Sequence, residues 1–272
     1  MSYKISDAQQ RLAERLGETQ APNSTSTDAA TRRRWFQEAV EGIFAEKPYY
    51  FTQKKYGYVT SDEMYKFSAP TDFRKDILLH INDHRYKKIR ITDIDYESPQ
   101  ELIEFVTRGY STIDYKYFLL GDEFYIFPTA TGSPDVVTAT IANGVVTSSS
   151  HGLSSGDMVY INGTSYEIEK IDDDSFRIDD ATMGGNIQYQ KCNIILWYYH
   201  DSYTYTSDDD PIGIPDKFIN LLVSYAEGRY WSAAHLRGKA ADAFGEYETI
   251  IGKMAAEDMR RGFATGLNGI YI

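Results

Sequence analysis

This sequence predicts an α+β protein: a helical core with a β-rich side, plus an inserted all-β small barrel or sandwich. Three observations carry that prediction. Apolar residues at helical spacing occupy both ends of the chain, aromatic residues alternate with polar ones through much of the middle, and two Asn-Gly turns flanked by β-prone runs fall within residues 134–192. At 272 residues, 42% apolar and 25% charged, the chain can bury a sizeable core as one large or two smaller domains, which excludes global disorder.

Taken in order, the first element is a short amphipathic helix over residues 4–17, with Ile5, Leu12 and Leu16 on one face and Gly17 placed to close it. Residues 18–28, ETQAPNSTSTD, are rich in Ser, Thr and Asn and read as a mobile linker or extended arm. From position 29 the period is helical again, with Trp35, Phe36, Ala39, Val40, Ile43 and Phe44 forming one broad stripe up to Pro48. Alternation then replaces it. Aromatics around Tyr56-Gly57-Tyr58 and again over 64–67 read as the two strands of a hairpin, and a further strand fits 86–91. Pro99 suits the first turn of a helix carrying Leu102, Ile103 and Val106. Strands over 117–120 and 124–127 flank the Gly121-Asp122 turn, with Pro128 expected to stop the second.

Residues 134–192 read as a separate module. Asn143-Gly144 joins 136–141 to 145–147, and Asn162-Gly163 joins 158–161 to 166–171; Asn-Gly supplies the positive φ angles that two-residue turns need. The stretch holds nine acids against three bases, so half of the chain's net charge lies in it, a shift of the kind a domain boundary shows. After it come a hydrophobic strand over 193–200, a turn-rich link over 207–213 and a helical hairpin. Pro215 starts the first helix, whose Phe218, Leu221, Leu222, Tyr225 and Tyr230 point to a core, and Gly238 is placed to end it. Ala240, Phe244, Tyr247, Ile251 and Met254 give the second helix a packing seam.

Composition narrows the function classes. Forty acids against 28 bases leave the chain at −12, which argues against a wide phosphate-neutralising face. The longest apolar run, 194–199, is far short of a membrane span, and the first thirty residues lack the apolar stretch of a secretory leader, so synthesis in a cytoplasm is expected. Cys192 stands alone, which excludes an internal disulfide or a zinc site with two thiolates; at the start of a strand it is expected to be a small buried side chain. Twenty-three tyrosines, with a large ring and a hydroxyl each, suit surfaces buried against partners.

Candidate chemistry is sparse. His80 and His84 would share a helix face as metal ligands do, with Asp83 nearby, but beside Arg85, Lys87 and Lys88 they read as a solvated edge. Asp172-Asp173-Asp174 and Asp208-Asp209-Asp210 lack the alternating acids and fixed glycine of a calcium loop and read as surface turns. No Gly-rich phosphate loop or HExxH occurs. Arg32, Arg33 and Arg34 are more informative, because three cations near a helix N-terminus oppose its dipole and call for another reason, such as an acidic partner surface. Arg85, Lys87, Lys88 and Arg90 form a second basic strip, interrupted by Tyr86 and Ile89 and so no DNA-binding signature, suited to a lumen or a neighbouring subunit. At the C-terminus, Phe263, Leu267, Ile270, Tyr271 and Ile272 are apolar anchors separated by glycines, and docking into a partner groove is the expectation for them.

Ordered pieces of the chain resemble the head-to-tail adaptor (connector) proteins of tailed bacteriophages. They are SDAQQRLAERLGET, RRRWFQEAVEGIFAEKPYYF, FSAPTDFRKDI, RYKKIRITDIDYES, the pair YIFPTA and NIILWYYH, and DDDPIGIPDKFINLLVSYAEGRYWSAAHLRGKAADAFGEYETIIGKM, covering nearly everything outside 134–192. The resemblance implies a structural virion protein without catalysis, cofactor or metal. Such a protein forms a homo-oligomeric, dodecameric ring beneath the portal protein, meets a tail or tail-completion protein, and lets double-stranded DNA pass without sequence-specific binding or membrane contact. An acidic conduit that repels DNA agrees with that task. The expected organisation is an N-terminal helix and linker over 1–28, an adaptor core over 29–133 and 193–262, the inserted β module over 134–192, and a docking tail over 263–272. The module's HGLSSGDMVYINGTSYEIEKIDDDSFRI is similar to small β modules appended to phage virion proteins and to one β-barrel segment of ubiquitin-activating enzymes, in fold only, and it is expected to point outward from the ring. The alternative is a phage carbohydrate- or receptor-binding or other decorating protein, which would hold its apolar surface in a concave groove rather than on subunit edges.

Overall fold

The structure, a computed structural model, describes residues 3–61, 63–82, 84–90 and 115–264, with side chains to Arg260. It is a mixed α+β protein, and among the described residues it has four α-helices, a curled seven-stranded sheet and a nearly closed seven-stranded barrel. Contacts divide it into two units, residues 1–53 with 201–272, and residues 54–200.

The first unit is helical. α1 (Ile5–Leu16) begins with the Asp7 carboxylate accepting from the Lys4 amide at 2.8 Å and ends in a Schellman closure, where Gly17 takes φ 74° and Glu18 N–H donates to Ala13 O at 2.9 Å. α2 (Thr27–Glu46) starts two residues before the expected position because Ser26 Oγ accepts from Ala29 N–H at 3.1 Å and caps it. Its stripe of Phe36, Ala39, Val40, Ile43 and Phe44 is buried as its spacing predicts. A 3-10 turn, Asp216–Phe218, leads into α3 (Ile219–Ala233), and α4 (Arg237–Ala264) returns along it. α3 also packs on α1 and α2 as well as α4, which is why Leu221, Leu222, Val223, Ser224 and Ala226 are all buried. Gly238 does not end α3. His235, at φ 59°, makes the left-handed residue of the corner, and Gly238 lies inside α4.

The second unit holds both sheets. The curled sheet runs β1 (Gln53–Tyr58), β14 (Ile194–His200), β3 (Phe73–Ile81), β4 (His84–Lys88), β5 (Lys116–Leu120), β6 (Glu123–Ala130), β2 (Met64–Ser68). β1 and β2 are therefore not the expected hairpin but the two edges. Curling brings them face to face, with the Tyr58 and Phe67 rings 4.6 Å apart and Tyr58 Oη donating to Ser68 O at 2.6 Å. β6 continues through Pro128 to Ala130, contrary to expectation. The proline sits where β5 has already ended opposite Phe127 and where β2 pairs irregularly between Met64 and Lys66, so no ladder bond is lost to its missing N–H. The helix expected after Ser98-Pro99 lies outside the described residues.

Strands β7 (Val137–Ala142), β8 (Val145–Thr147), β9 (Met158–Ile161), β10 (Thr164–Glu167), β11 (Glu169–Lys170), β12 (Ser175–Arg177) and β13 (Gly184–Lys191) make the barrel, in the order β10-β9-β13-β7-β8-β12-β11. Both Asn-Gly turns take the predicted conformation: Asn143 and Gly144 have φ 50° and 78°, Asn162 and Gly163 φ 49° and 91°. Ile141, Val146, Val159, Ile161, Phe176 and Tyr189 fill the interior.

Two glycines give opposite predictions. A Cβ on Gly57 would stand 2.6 Å from Cys192 Sγ and 2.9 Å from Met158 Cβ, so Gly57→Ala is expected to cost about 1–3 kcal/mol by overpacking, read as a lower denaturant midpoint. Gly245, exposed within α4 with nothing within 4 Å of a built Cβ, is expected to gain about 0.5–1 kcal/mol as Gly245→Ala.

Candidate partner-docking surfaces

The arginine run divides three ways. Arg32 is 6% exposed and its Nη2 donates to both carboxylate oxygens of Glu18, at 2.6 and 2.8 Å. Arg33 Nη1 donates to Asp208 Oδ1 at 2.7 Å and to Ser24 O at 2.9 Å. Arg34 points outward, its side chain 68% exposed and 3.5 Å from Glu38. The acidic surface that the run called for is thus supplied, for Arg32 and Arg33, by the chain itself. It also follows that residues 18–26 are not a free arm: Glu18 and Ser24 hold α2, and Ala21 N–H donates to Gln10 Oε1 at 3.4 Å.

The same economy consumes the second acidic run. Asp208 binds Arg33 while its carbonyl accepts from Ser6 N–H at 2.8 Å; Asp210 O accepts from Ile5 N–H at 2.9 Å, satisfying the orphan amides that open α1. Asp210 Oδ2 in turn accepts from the amides of Thr206 and Ser207, which hold its carboxyl below the ordinary value. Asp172–174 likewise close their own turn, with Asp172 Oδ1 accepting from Asp174 N–H at 2.9 Å and Ser175 Oγ at 2.7 Å.

Arg15 on α1 was not singled out by the sequence. It bridges Glu246 of α4, at 2.6 and 2.9 Å, and Glu227 of α3, at 3.2 Å. No local signal could have found it, because its partners lie more than 200 positions away. Hydrogen bonding to Glu246 raises the Arg15 pKa, and the same bond lowers that of Glu246.

On the sheet, Arg85, Lys87, Lys88 and Arg90 are all exposed, and Lys88 pairs with Asp76. His80 and His84 are not on a helix. They lie on β3 and β4, His84 opposite Ile81 and His80 opposite Arg85, with His84 stacked on the Tyr115 ring at 4.3 Å and His80 edge-on to Trp197 at 5.3 Å. Strand geometry sends them to different surroundings, so the metal-ligand spacing is lost. Asp83 lies outside the described residues. Among those residues no group of three His, Cys, Asp or Glu side chains is arranged to hold a metal ion, and no helix is long and apolar enough to cross a membrane. Cys192 is buried, and burial pushes its thiol up to about 12. Of the C-terminal anchors, the Phe263 side chain and residues Leu267, Ile270, Tyr271 and Ile272 lie outside the described part.

Among the described residues the structure is a mixed α+β scaffold whose singled-out charges are largely tied to one another. Sequence comparison specifies the kind: residues 3–268 match the family described as SU10 adaptor protein. The chain belongs to that family and is a phage virion adaptor, not an enzyme. No curated protein matches it significantly.

Glu246 gives a pH test of the helical unit. Its carboxyl is held below the usual 4.5, so its stabilising bond is complete above that value and is lost as the pH falls through the lower folded-state pKa. Thermal midpoints are expected to decline over this acid window, and Glu246→Gln is expected to flatten that decline. Arg32→Ala, which leaves Glu18 unpaired, is expected to cost about 2–3 kcal/mol in chemical denaturation, below a fully buried pair because Glu18 remains 33% exposed.

Proposed function

We propose that this adaptor forms a ring beneath the portal protein, joins the DNA-filled head to a tail or tail-completion protein, and lines the passage through which double-stranded DNA leaves. The observation that carries the reading is the family match over nearly the whole chain. Net charge supports it, since a conduit at −12 per subunit repels passing DNA instead of holding it.

The ring is dodecameric if it follows the portal, and residues 134–192 act in it as an inserted module contacting fibres, a collar or a neighbouring subunit. The portal contact draws on the tail, Phe263, Leu267, Ile270, Tyr271 and Ile272, together with the arginine run. Within that run Arg34 is the member with most of its side chain in solvent, while Arg32 and Arg33 act by holding α2 in place. Arg85, Lys87, Lys88 and Arg90 face a neighbouring acidic subunit or the lumen, where four exposed cations relieve repulsion between copies that each carry −12.

The test is co-sedimentation with purified portal rings, comparing the full chain with one ending at Arg261, imaged by negative stain. Full-length protein is expected to add a layer to the portal and the truncated chain is not. If both add the layer, the tail assignment is wrong and the helical unit carries the contact. If neither binds at any salt concentration, the portal assignment is wrong.

A further inference from the structure

Strand alternation divides the basic strip of the curled sheet. Lys88 turns to Asp76, whereas Arg85 and Lys87, two positions apart on β4, share the opposite face, exposed and without an ion pair among the described residues. β5 runs parallel to β4 with Lys116 in register with Lys87, which brings a third cation to the same place. Like charges in register on neighbouring strands weaken the pairing, and an anionic partner on this face offsets that cost. Three cations neutralise too few phosphates to hold duplex DNA against a chain at −12, so the chemistry favours an acidic protein surface.

The barrel carries such a surface. The hairpin of β11 and β12, residues 169–177, holds four acids against two bases, and Asp172, Asp173 and Asp174 are all exposed in its turn. The turn is held in place by its neighbours: Asp174 O accepts from Ser148 N–H at 2.9 Å, Asp173 O from His151 N–H at 3.2 Å, and Asp174 Oδ1 from Ser150 N–H at 2.7 Å. Asp172 Oδ1 closes the turn and Asp173 Oδ1 meets Lys170 Nζ at 2.7 Å, which leaves Oδ2 of each aspartate without a partner among the described residues. Hydrogen bonds from Ser175 Oγ and from Lys170 hold the Asp172 and Asp173 carboxyls below the ordinary carboxylate range, so both are charged at neutral pH. Beside them Ile171 is 48% exposed, and half-buried Ile89, two positions beyond Lys87, offers it an apolar neighbour.

The ion pairs of this hairpin, Lys170 with Asp173 and Arg177 with Glu169, are internal to it, and among the described residues none reaches the strip of the same chain. We propose that the occupant of the strip is a second copy: each subunit sets its 171–174 turn on the Arg85–Lys87 face of the next. Because the two surfaces differ, the contact is head-to-tail, the kind that closes into a ring. The inference rests on the ring proposed above and names the neighbouring surface within it.

Zero-length carbodiimide coupling tests it on the full chain without portal, using an equal mixture of 14N- and 15N-labelled protein so that links between copies carry both labels. A mixed-label link between Lys87 and the 171–174 turn is expected. Arg85→Glu and Asp173→Lys, both at exposed positions and both leaving Lys87 and two turn carboxylates to report, are each expected to lower its yield about tenfold. The chain carrying both reversals is expected to recover the link, which also shows that the substituted chains fold. Absence of the mixed-label link, or a yield that neither reversal changes, overturns the contact. Retention of a short DNA duplex that Arg85→Glu abolishes, with no mixed-label link, gives the strip to the lumen and overturns it equally. Portal co-sedimentation that succeeds while the link is absent removes this contact and leaves the ring.

Discussion

A guanidinium taken out of water must meet a carboxylate, and the helical unit is organised by that requirement. Arg32 enters it with Glu18 on both carboxylate oxygens, Arg33 meets Asp208, and Arg15 meets Glu246 and Glu227. Arg32–Glu18 joins α2 to the turn that follows α1, the other two join segments remote in sequence, and together they tie α1, α2, the 201–216 link and the α3–α4 hairpin to one another. Such pairs add little net stability over an apolar contact of the same size, and their effect is to specify one arrangement. Burial does the rest: Ile5, Leu12, Phe36, Ile43, Leu222 and Met254 are fully enclosed.

The second unit solves a different problem with tyrosine. Tyr117 Oη donates to Asp76 at 2.6 Å, Tyr198 Oη to Asp72 at 2.7 Å and Tyr86 Oη to Pro128 O at 3.1 Å, while all three rings lie in the core of the curled sheet. Burial raises each phenol's pKa, so the hydroxyls remain donors at any pH the virion meets. The tyrosine content that pointed toward partner surfaces is in good part spent inside, where a ring fills the curl and a hydroxyl reaches a carboxylate at its rim.

Local patterns were legible and long-range pairing was not. The helix stripes, Gly17, both Asn-Gly turns, the apolar run that became β14 and the burial of Cys192 could be read because each depends on neighbours within a few positions. The strand β3, FRKDILLHI, was missed: its apolar residues cluster rather than alternate, and it contributed only a histidine at what seemed helical spacing. The β1–β2 hairpin was a misjudged partnership between correctly placed strands, since each pairs with a strand far along the chain. Gly238 lost the corner to His235 because a left-handed residue is required one turn earlier. The arginine run was noticed for a sound reason, its conflict with the helix dipole, but the acids that resolve it, Glu18 and Asp208, lie 14 and 175 positions away.

In the helical unit α1 and the segment after it belong to the core and are not an arm awaiting a partner. Amide hydrogen exchange on the isolated full-length protein measures this directly. The amides of Leu12, Ala13 and Leu16 in α1 are expected to exchange in the same slow class as Leu222, Val223 and Ala226 of α3, and to lose protection, measured against the intrinsic exchange rate at each pH, together with them on acidification below the ordinary glutamate range. Exchange of the α1 amides at the rate of an unstructured peptide, while α3 remains protected, would contradict the account.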